Sequence, residues 1–250
     1  MIGRWRLGKH IGLLAIVLSC LLPSGGLAQY TEIEANFRRL SPDQVVRLRE
    51  VLAEPVPDDM LYESQRRLFT EKSMAAVRLG DARAREEVLR QAASRLPDAA
   101  WKMDLGAILL ARGDIEQGNH WRALALRAAP NPQVRALYTA FIARDLALQL
   151  DDKGAAVKLT ELQEDVRNQV ATVRASWEKL QLRRASAHGA MVESVLAQRV
   201  NKHEAAIRAA HEAEDHARSA WGMLSDSTDP NRPLLATDIG LAVSRLLEAQ

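Results

Sequence analysis

One short segment of this chain carries residue types that could bind a metal ion. Residues 211–216 read His-Glu-Ala-Glu-Asp-His, which invites comparison with the zinc-protease helix, where two histidines four residues apart project from one face. His211 and His216 are instead separated by about 140° around a helix, at roughly 100° per residue, so they cannot share a metal ion in that way. Glu204, His211 and Asp215 do fall near one stripe, but interleaved arginines are typical of a solvated face. We therefore predict no metal site.

The sequence offers no other catalytic motif. No serine, threonine or cysteine stands in a nucleophile motif, and no glycine-rich phosphate-binding loop occurs. The tryptophans are widely spaced among apolar helical positions, which favours core packing over a stacking platform for a sugar or a base. Apart from Trp5 near the N-terminus, they are Trp101, Trp121, Trp177 and Trp221. We expect no enzymatic activity and no cofactor, so the function must lie in the surfaces that the helices present.

The composition predicts an all-α protein. Aromatic residues make up 4% of the chain, whereas alanine, leucine and arginine are abundant, and Pro and Gly lie mainly between periodic segments. The first clear helix is predicted to begin after Ser41, which can cap it, with Pro42 at the first helical position and Gln44 completing a capping box. Pro55 and Pro57 end this helix because neither can continue it.

Two Gly-Asp dipeptides predict a helical hairpin that recurs along the chain. Gly80-Asp81 and Gly113-Asp114 lie 33 residues apart, and each is followed 16 residues after its aspartate by a proline. Glycine permits the turn out of one helix, and aspartate caps the start of the next. A fixed period of this size is typical of stacked helix pairs, which bury their apolar faces against one another.

Around the second dipeptide the sequence resembles the tetratricopeptide repeat family. Leu105 and Gly106 fall on that family's Leu-Gly pair, Gly113-Asp114 on its turn, Ala125 on its small second-helix residue and Pro130 on its closing proline. The match is incomplete, since Trp101 sits one place early, Gly118 replaces an alanine, and Arg122 takes an aromatic position beside Trp121. The resemblance implies an all-α, right-handed superhelix of antiparallel helical hairpins, a TPR-like α-solenoid.

The same pattern predicts the organisation of the whole chain. Residues 29–59 are expected to form a helical segment and linker before a repeat domain at 60–250, with units at about 60–97, 98–131, 132–187 and 188–224 and a last helix at 234–250. The second helix of the third unit is predicted to run from Leu159 through Leu180 without a breaker until His188-Gly189. This 159–180 seam could also mediate self-association as a coiled coil, although packing against the neighbouring repeat would use the same residues.

The resemblance also implies a binding surface, because the first helices of successive tetratricopeptide units line a concave groove. Carried over by position, the groove residues are Arg67, Met74, Arg78, Met103, Leu110, Leu137, Phe141, Arg144, Met191 and Arg199. Methionines adapt to irregular apolar surfaces, and arginines bind carboxylates bidentately. The implied partner is another protein or an extended, acidic and partly apolar peptide. The alternative is that several of these residues fill the solenoid core.

The N-terminus predicts a secretory signal peptide at residues 1–28. Three basic residues precede an apolar run at 11–22, and small residues follow it at a plausible cleavage point after Ala28. The run is shorter than the roughly 20 residues that span a bilayer, so a retained anchor is the weaker interpretation. Cys20, the only cysteine, faintly resembles a bacterial lipoprotein site, which makes an outer-membrane lipoprotein the less favoured alternative.

Processing would change the charge of the protein. Removing Arg4, Arg6 and Lys9 from the 34 basic residues leaves 31 against 32 acidic ones, so the mature chain is near −1 and is not expected to bind nucleic acid by bulk electrostatics.

We expect a periplasmic or secreted, non-enzymatic scaffold of the bacterial envelope. The alternative is a helical accessory subunit of a machine that exports or modifies polysaccharide, which would expose aromatic side chains to glycan. A helical transglycosylase would need an appended catalytic domain, and none is visible.

Overall fold

The computed structural model describes residues 40–224 and 232–250. All regular structure within these ranges is helical, in agreement with the prediction from composition. The signal peptide, Cys20 and the start of the 29–59 segment lie outside the described residues. The helices are α1 (Pro42–Ala53), α2 (Tyr62–Leu79), α3 (Ala82–Arg95), α4 (Ala99–Ala111), α5 (Ile115–Arg127), α6 (Pro132–Leu148), α7 (Asp152–Val170), α8 (Ser176–Arg199), α9 (His203–Gly222) and α10 (Arg232–Ala249).

The helices divide into two compact units. The first unit contains α1 to α5 within residues 40–128, and the second contains α6 to α10 within residues 129–250.

The start of α1 confirms the predicted capping box, because the Gln44 amide donates to Ser41 Oγ at 3.2 Å and the Ser41 amide donates to Gln44 Oε1 at 2.8 Å.

Four helical hairpins share one corner geometry. The corners lie between α2 and α3, α4 and α5, α6 and α7, and α8 and α9, and each has one residue in the left-handed region: Gly80, Gly113, Leu150 or Asn201. In every corner this residue's amide donates to the carbonyl three residues back, and the next amide donates to the carbonyl five residues back, at 2.9 to 3.1 Å. This pair of bonds satisfies carbonyls that the helix end leaves free.

The last two corners depart from the Gly-Asp pattern that the sequence displays. Asp81, Asp114 and Asp151 each accept a hydrogen bond from a backbone amide in the first turn of the following helix, but Lys202 at the fourth corner makes no side-chain cap. Leu150 adopts a φ of 65°. A side chain with a Cβ is strained there, typically by about 1 to 2 kcal/mol.

In the first unit each helix packs on the next, from α1 through α5. Phe69, Val88 and Leu96 form one core cluster, and α3 and α4 form another. The helices α4 and α5 approach each other closely at Gly106, since a Cβ there would lie 2.8 Å from Arg122 Cγ and 2.9 Å from the Gly118 carbonyl oxygen on α5. The family's Leu-Gly position therefore has a packing cause in this chain.

In the second unit the first helices of successive hairpins lie side by side. The helix α6 packs on α8, and α8 packs on α10, while α7 and α9 pack against these helices. The contact between α8 and α9 is close because small residues line α9. The buried alanines of α9 are Ala206, Ala209, Ala210, Ala213, Ala217 and Ala220.

The predicted uninterrupted helix across residues 159–188 is wrong. The helix α7 ends at Val170 and α8 begins at Ser176, with the Thr172 hydroxyl donating to the Gln169 carbonyl at the end of α7. Gly189 does not break a helix but lies inside α8, where a Cβ would stand 2.7 Å from Leu162 Cδ2 of α7. The expected boundary between the third and fourth units at residue 188 therefore falls within α8, and the glycine serves close helix packing.

Candidate functional site

Four of the ten predicted groove residues are buried. Met103 is fully buried, and Met191 belongs to the apolar cluster between α8, α9 and α10. Leu137 and Phe141 are buried on α6, and the Phe141 ring meets the His188 ring edge-on at 4.8 Å between centroids. These four side chains are interior residues of their units in this structure, so the expectation that they line an open groove is corrected.

Two predicted arginines are already paired within the protein. Arg67 is exposed and its Nε donates to Glu71 Oε1, one turn along α2, at 2.8 Å. Arg199 forms an ion pair with Asp152 and donates from Nη2 to the Ala147 carbonyl at 2.7 Å. Arg199 thus ties the end of α8 to the corner between α6 and α7. It stabilises the corner, and we withdraw it as a peptide ligand.

Three further predicted residues are half-buried. Leu110 packs across its hairpin, because a Cβ at Gly118 would stand 2.6 Å from Leu110 Cδ2. Met74 and Arg78 lie on the same helix, α2. The Nε atom of Arg78 is buried and makes no hydrogen bond with any described residue. Arg78 therefore retains unused donors in the first unit.

Arg144 is the predicted groove residue whose geometry best fits a ligand. Its guanidinium carbon lies 5.3 Å from the centre of the Phe141 ring, one turn earlier on α6. The nearest carboxylate oxygen among the described residues, Asp145 Oδ1, is 3.8 Å away, beyond hydrogen-bond distance. The Nε atom is buried without a hydrogen-bond partner in the same part of the chain, while 21% of the side chain remains exposed. Phe141 therefore holds a guanidinium that makes a long ion pair with Asp145 and no hydrogen bond with the described residues.

Sequence reasoning missed a buried polar network beside Phe141. Arg184 and His188 on α8 both contact Asp238 on α10: Arg184 Nε donates to Oδ2 at 2.7 Å, and His188 Nε2 lies 3.1 Å from Oδ1. All three side chains are almost fully buried. The sequence holds one signal of this network. Asp238 is a charged residue among the apolar residues Leu234, Leu235 and Ile239 of α10.

Burial and mutual attraction set the protonation of this network. Burial works to raise the pKa of Asp238, but Arg184 and His188 outweigh it and hold that pKa below its usual value. Burial lowers the pKa of His188, against the opposing pull of Asp238. At neutral pH a neutral imidazole therefore donates from Nε2 to an ionised carboxylate. Its Nδ1 atom is buried and has no hydrogen-bond partner among the described residues.

The first unit holds a second buried charged cluster. Asp104 on α4 lies between Arg85 on α3 and Arg122 on α5, and burial raises the Asp104 pKa to about 7 against the opposing effect of the two arginines. Asp104 Oδ1 and Arg85 Nε make no hydrogen bond with any residue that the structure describes. The Arg122 guanidinium contacts the sulfur of Met103. The arginine at the family's aromatic position therefore lies in the interior of the unit.

The histidines of α9 form no metal site in the described part of the chain. No group of three or more His, Cys, Asp or Glu side chains there is arranged to hold an ion. His216 Nδ1 instead lies 3.1 Å from Arg183 Nη1 on α8, and Arg208 pairs with Glu204 at 3.9 Å.

None of the helices in the described ranges is both long enough and apolar enough to cross a bilayer. Comparisons of this chain with known protein families, with curated proteins and with solved structures found no match.

Proposed function

We propose that this chain is a non-enzymatic scaffold that binds another protein or an extended acidic peptide through a TPR-like solenoid. Four hairpins with one corner geometry support the proposal, as does the row of first helices, α6, α8 and α10, in the second unit. Stacked hairpins of this kind generate extended concave binding surfaces. The resemblance and the predicted leader favour a right-handed superhelix that acts in the bacterial envelope.

The observation that carries the proposal is the geometry of Arg144. An arginine stacked on an aromatic ring loses little further freedom when it binds, and its planar fork matches a carboxylate. Partial burial strengthens such a pair because solvent screens it less than it screens an exposed pair. We therefore assign Arg144 as the anchor for a carboxylate of the partner.

Arg78 is the corresponding candidate in the first unit, because it too is half-buried with unused donors. Arg67 and Arg199 each donate a hydrogen bond to a carboxylate of the protein, which makes them weaker candidates than Arg144.

Peptide binding by Arg144 can be tested with a short fluorescein-labelled peptide that alternates glutamate and leucine. Arg144→Gln should weaken binding about tenfold or more, as expected for the loss of a charge-assisted bidentate pair. Arg135→Gln is the matched control, since Arg135 is exposed on the same helix and nine residues away, about 180° around it. It should bind like the wild type. A peptide that alternates lysine and leucine should bind to none of the three proteins, because it lacks a carboxylate on its side chains.

Equal affinity of the wild type and Arg144→Gln for the acidic peptide would remove Arg144 from the site. Failure of the wild type to bind any such peptide, together with binding of an envelope glycan, would favour the polysaccharide-machine alternative.

A further inference from the structure

One edge of the second unit exposes aliphatic side chains at the ends of three neighbouring helices. They are Leu148 at the end of α6, Leu150 in the corner after it, Val200 at the end of α8 and Leu247 near the end of α10, and each is 60% to 75% exposed. We call this set the corner edge. Polar residues separate these side chains along the edge, so they form several small apolar points and not one contiguous patch.

Hydrogen bonds and an ion pair hold these helix ends together. Arg199, next to Val200, bonds the Ala147 carbonyl and Asp152, which flank Leu148 and Leu150. On the other side of α8, Gln198 Nε2 donates to the Glu248 carbonyl, next to Leu247, at 2.9 Å. The four aliphatic side chains therefore belong to one continuous edge.

Leu150 and Lys202 stabilise their corners less than the residues at the equivalent positions of the other corners do. Glycine and asparagine occupy the left-handed position of the other corners, whereas Leu150 bears a Cβ at a φ of 65° and is 75% exposed. Lys202 stands where the other three corners have a capping aspartate. Strain in a residue that buries little of its side chain favours the hypothesis of a role outside the fold.

The carboxylates along the corner edge keep their negative charge but already make contacts within the protein. Asp151 caps α7, Asp152 pairs with Arg199, and Glu248 pairs with Arg245 at 3.1 Å. Lys153 and Lys202 are exposed, and no hydrogen bond or ion pair joins either of them to a described residue. Aliphatic side chains with lysines beside them fit a membrane interface, because the lysine stems can lie along lipid while the ammonium groups reach phosphates.

We propose that the corner edge binds the surface of an anionic lipid bilayer, with Leu148, Leu150, Val200 and Leu247 entering the interface and Lys153 and Lys202 contacting lipid phosphates. The aliphatic groups stand at separate helix ends with polar residues between them. A deformable lipid surface can accommodate such separate points, whereas a protein partner would need a continuous complementary face. This proposal is independent of the peptide site at Arg144.

Hydrogen exchange of the full chain, with and without vesicles, tests this proposal. The vesicles contain phosphatidylglycerol mixed with phosphatidylcholine, and phosphatidylcholine alone serves as the comparison. We expect slower exchange on the anionic vesicles at residues 146–153, 198–203 and 245–250, and no change at 168–177. That segment lies at the far end of α7, about 27 Å away at 1.5 Å per residue. High salt should weaken the protection.

Two sets of variants separate the aliphatic contribution from the electrostatic one. The triple variant Leu150→Asn, Val200→Thr and Leu247→Gln should lose the protection, and asparagine is suited to the left-handed position. The pair Lys153→Gln and Lys202→Gln should weaken vesicle binding roughly tenfold or more, since each lysine near an anionic surface contributes measurably. The matched control, Val170→Thr with Trp177→Gln, alters exposed apolar side chains at the far end of α7 and should behave like the wild type.

All forms carry the same N-terminal segment, so its own affinity for lipid is common to them. The proposal is overturned if the vesicles leave 146–153 and 198–203 unprotected, if both variant sets remain protected, or if phosphatidylcholine alone protects equally well. Protection that grows with protein concentration in the absence of vesicles would identify a second copy as the occupant and would also overturn it. If the triple variant fails to fold by circular dichroism, the lysine pair and the salt dependence decide the question.

Discussion

At the residue scale, each unit buries charged side chains whose protonation differs from that of exposed groups. Burial raises the pKa of Asp104 from its usual value of 3.8 to about 7 in the folded protein. Between these values the folded protein holds a proton that the unfolded chain has released. The free energy of unfolding therefore falls as pH rises from about 4 to about 7, and the full cost remains above pH 7.

Replacing Asp104 tests this linkage. Asp104→Asn keeps the shape of the side chain and removes its ionisation, so it should raise the free energy of unfolding at pH 8 by about 2 to 4 kcal/mol relative to the wild type and change it little at pH 4. Urea denaturation across this pH range measures the difference. A destabilised Asn variant at pH 8 would mean that attraction to Arg85 and Arg122 outweighs the cost of burying the carboxylate.

The network at Asp238 behaves in the opposite way, because its charge is paired. Asp238→Asn should cost about 3 to 5 kcal/mol, since it leaves the buried Arg184 guanidinium without a carboxylate. The double variant Arg184→Met with Asp238→Asn should recover most of that loss, because it removes the uncompensated charge and leaves an amide oxygen for His188. Urea midpoints of the two variants check this expectation, and equal midpoints would contradict it.

The residue-scale features that the sequence failed to predict all depend on contacts between distant positions. Arg199 and Arg144 are both arginines in first helices, and nothing in their local sequence shows that one pairs with Asp152 whereas the other stacks on Phe141. Burial of Asp238 likewise needs α8 to be packed on α10. The helical spacing could distinguish neither a buried side chain from one that faces solvent nor the short contact of Arg199 with Asp152 from the longer one of Arg144 with Asp145.

At the element scale, local signals predicted the helix starts and turns well. Ser41 and the two Gly-Asp corners act as expected because capping and left-handed turns depend on adjacent residues. The corner at Leu150 lacks the expected glycine, although its aspartate remains. Gly189 misled the prediction because a glycine that admits a neighbouring helix looks the same in sequence as one that ends its own.

Gly106 offers a test of hairpin packing. Gly106→Leu should lower the free energy of unfolding by about 1 to 3 kcal/mol, because even a Cβ meets the Gly118 carbonyl oxygen at 2.9 Å and backbone cannot easily move aside. Gln117→Leu on the exposed face of α5 is the control and should cost little. We would measure both in urea. Identical midpoints would contradict the close approach of α4 and α5.

At the scale of the whole molecule, the sequence predicts export and a change of net charge on processing. Expressed in a Gram-negative host, the protein should appear in the periplasmic fraction and begin at Gln29, because basic residues, a short apolar run and Gly26-Leu27-Ala28 match the pattern expected of a signal peptide. N-terminal sequencing and intact mass check both points. An intact Met1 would indicate a retained anchor, and a lipid on Cys20 would indicate a lipoprotein.

The cleaved chain, the chain with a retained anchor and the lipidated chain would also differ in how they bind a membrane. A chain beginning at Gln29 lacks cysteine and carries a formal charge near −1, so bulk charge would not draw it to anionic lipid and any attachment would have to come from local features such as the corner edge. A lipidated or anchored chain would remain at the bilayer whatever its surface carries. Processing at Ala28 should therefore make recovery in the soluble periplasmic fraction sensitive to salt, and the Lys153→Gln and Lys202→Gln pair should remove that sensitivity. Persistent membrane association of this lysine variant, with Gln29 confirmed as its first residue, would show that charge at the corner edge does not govern attachment.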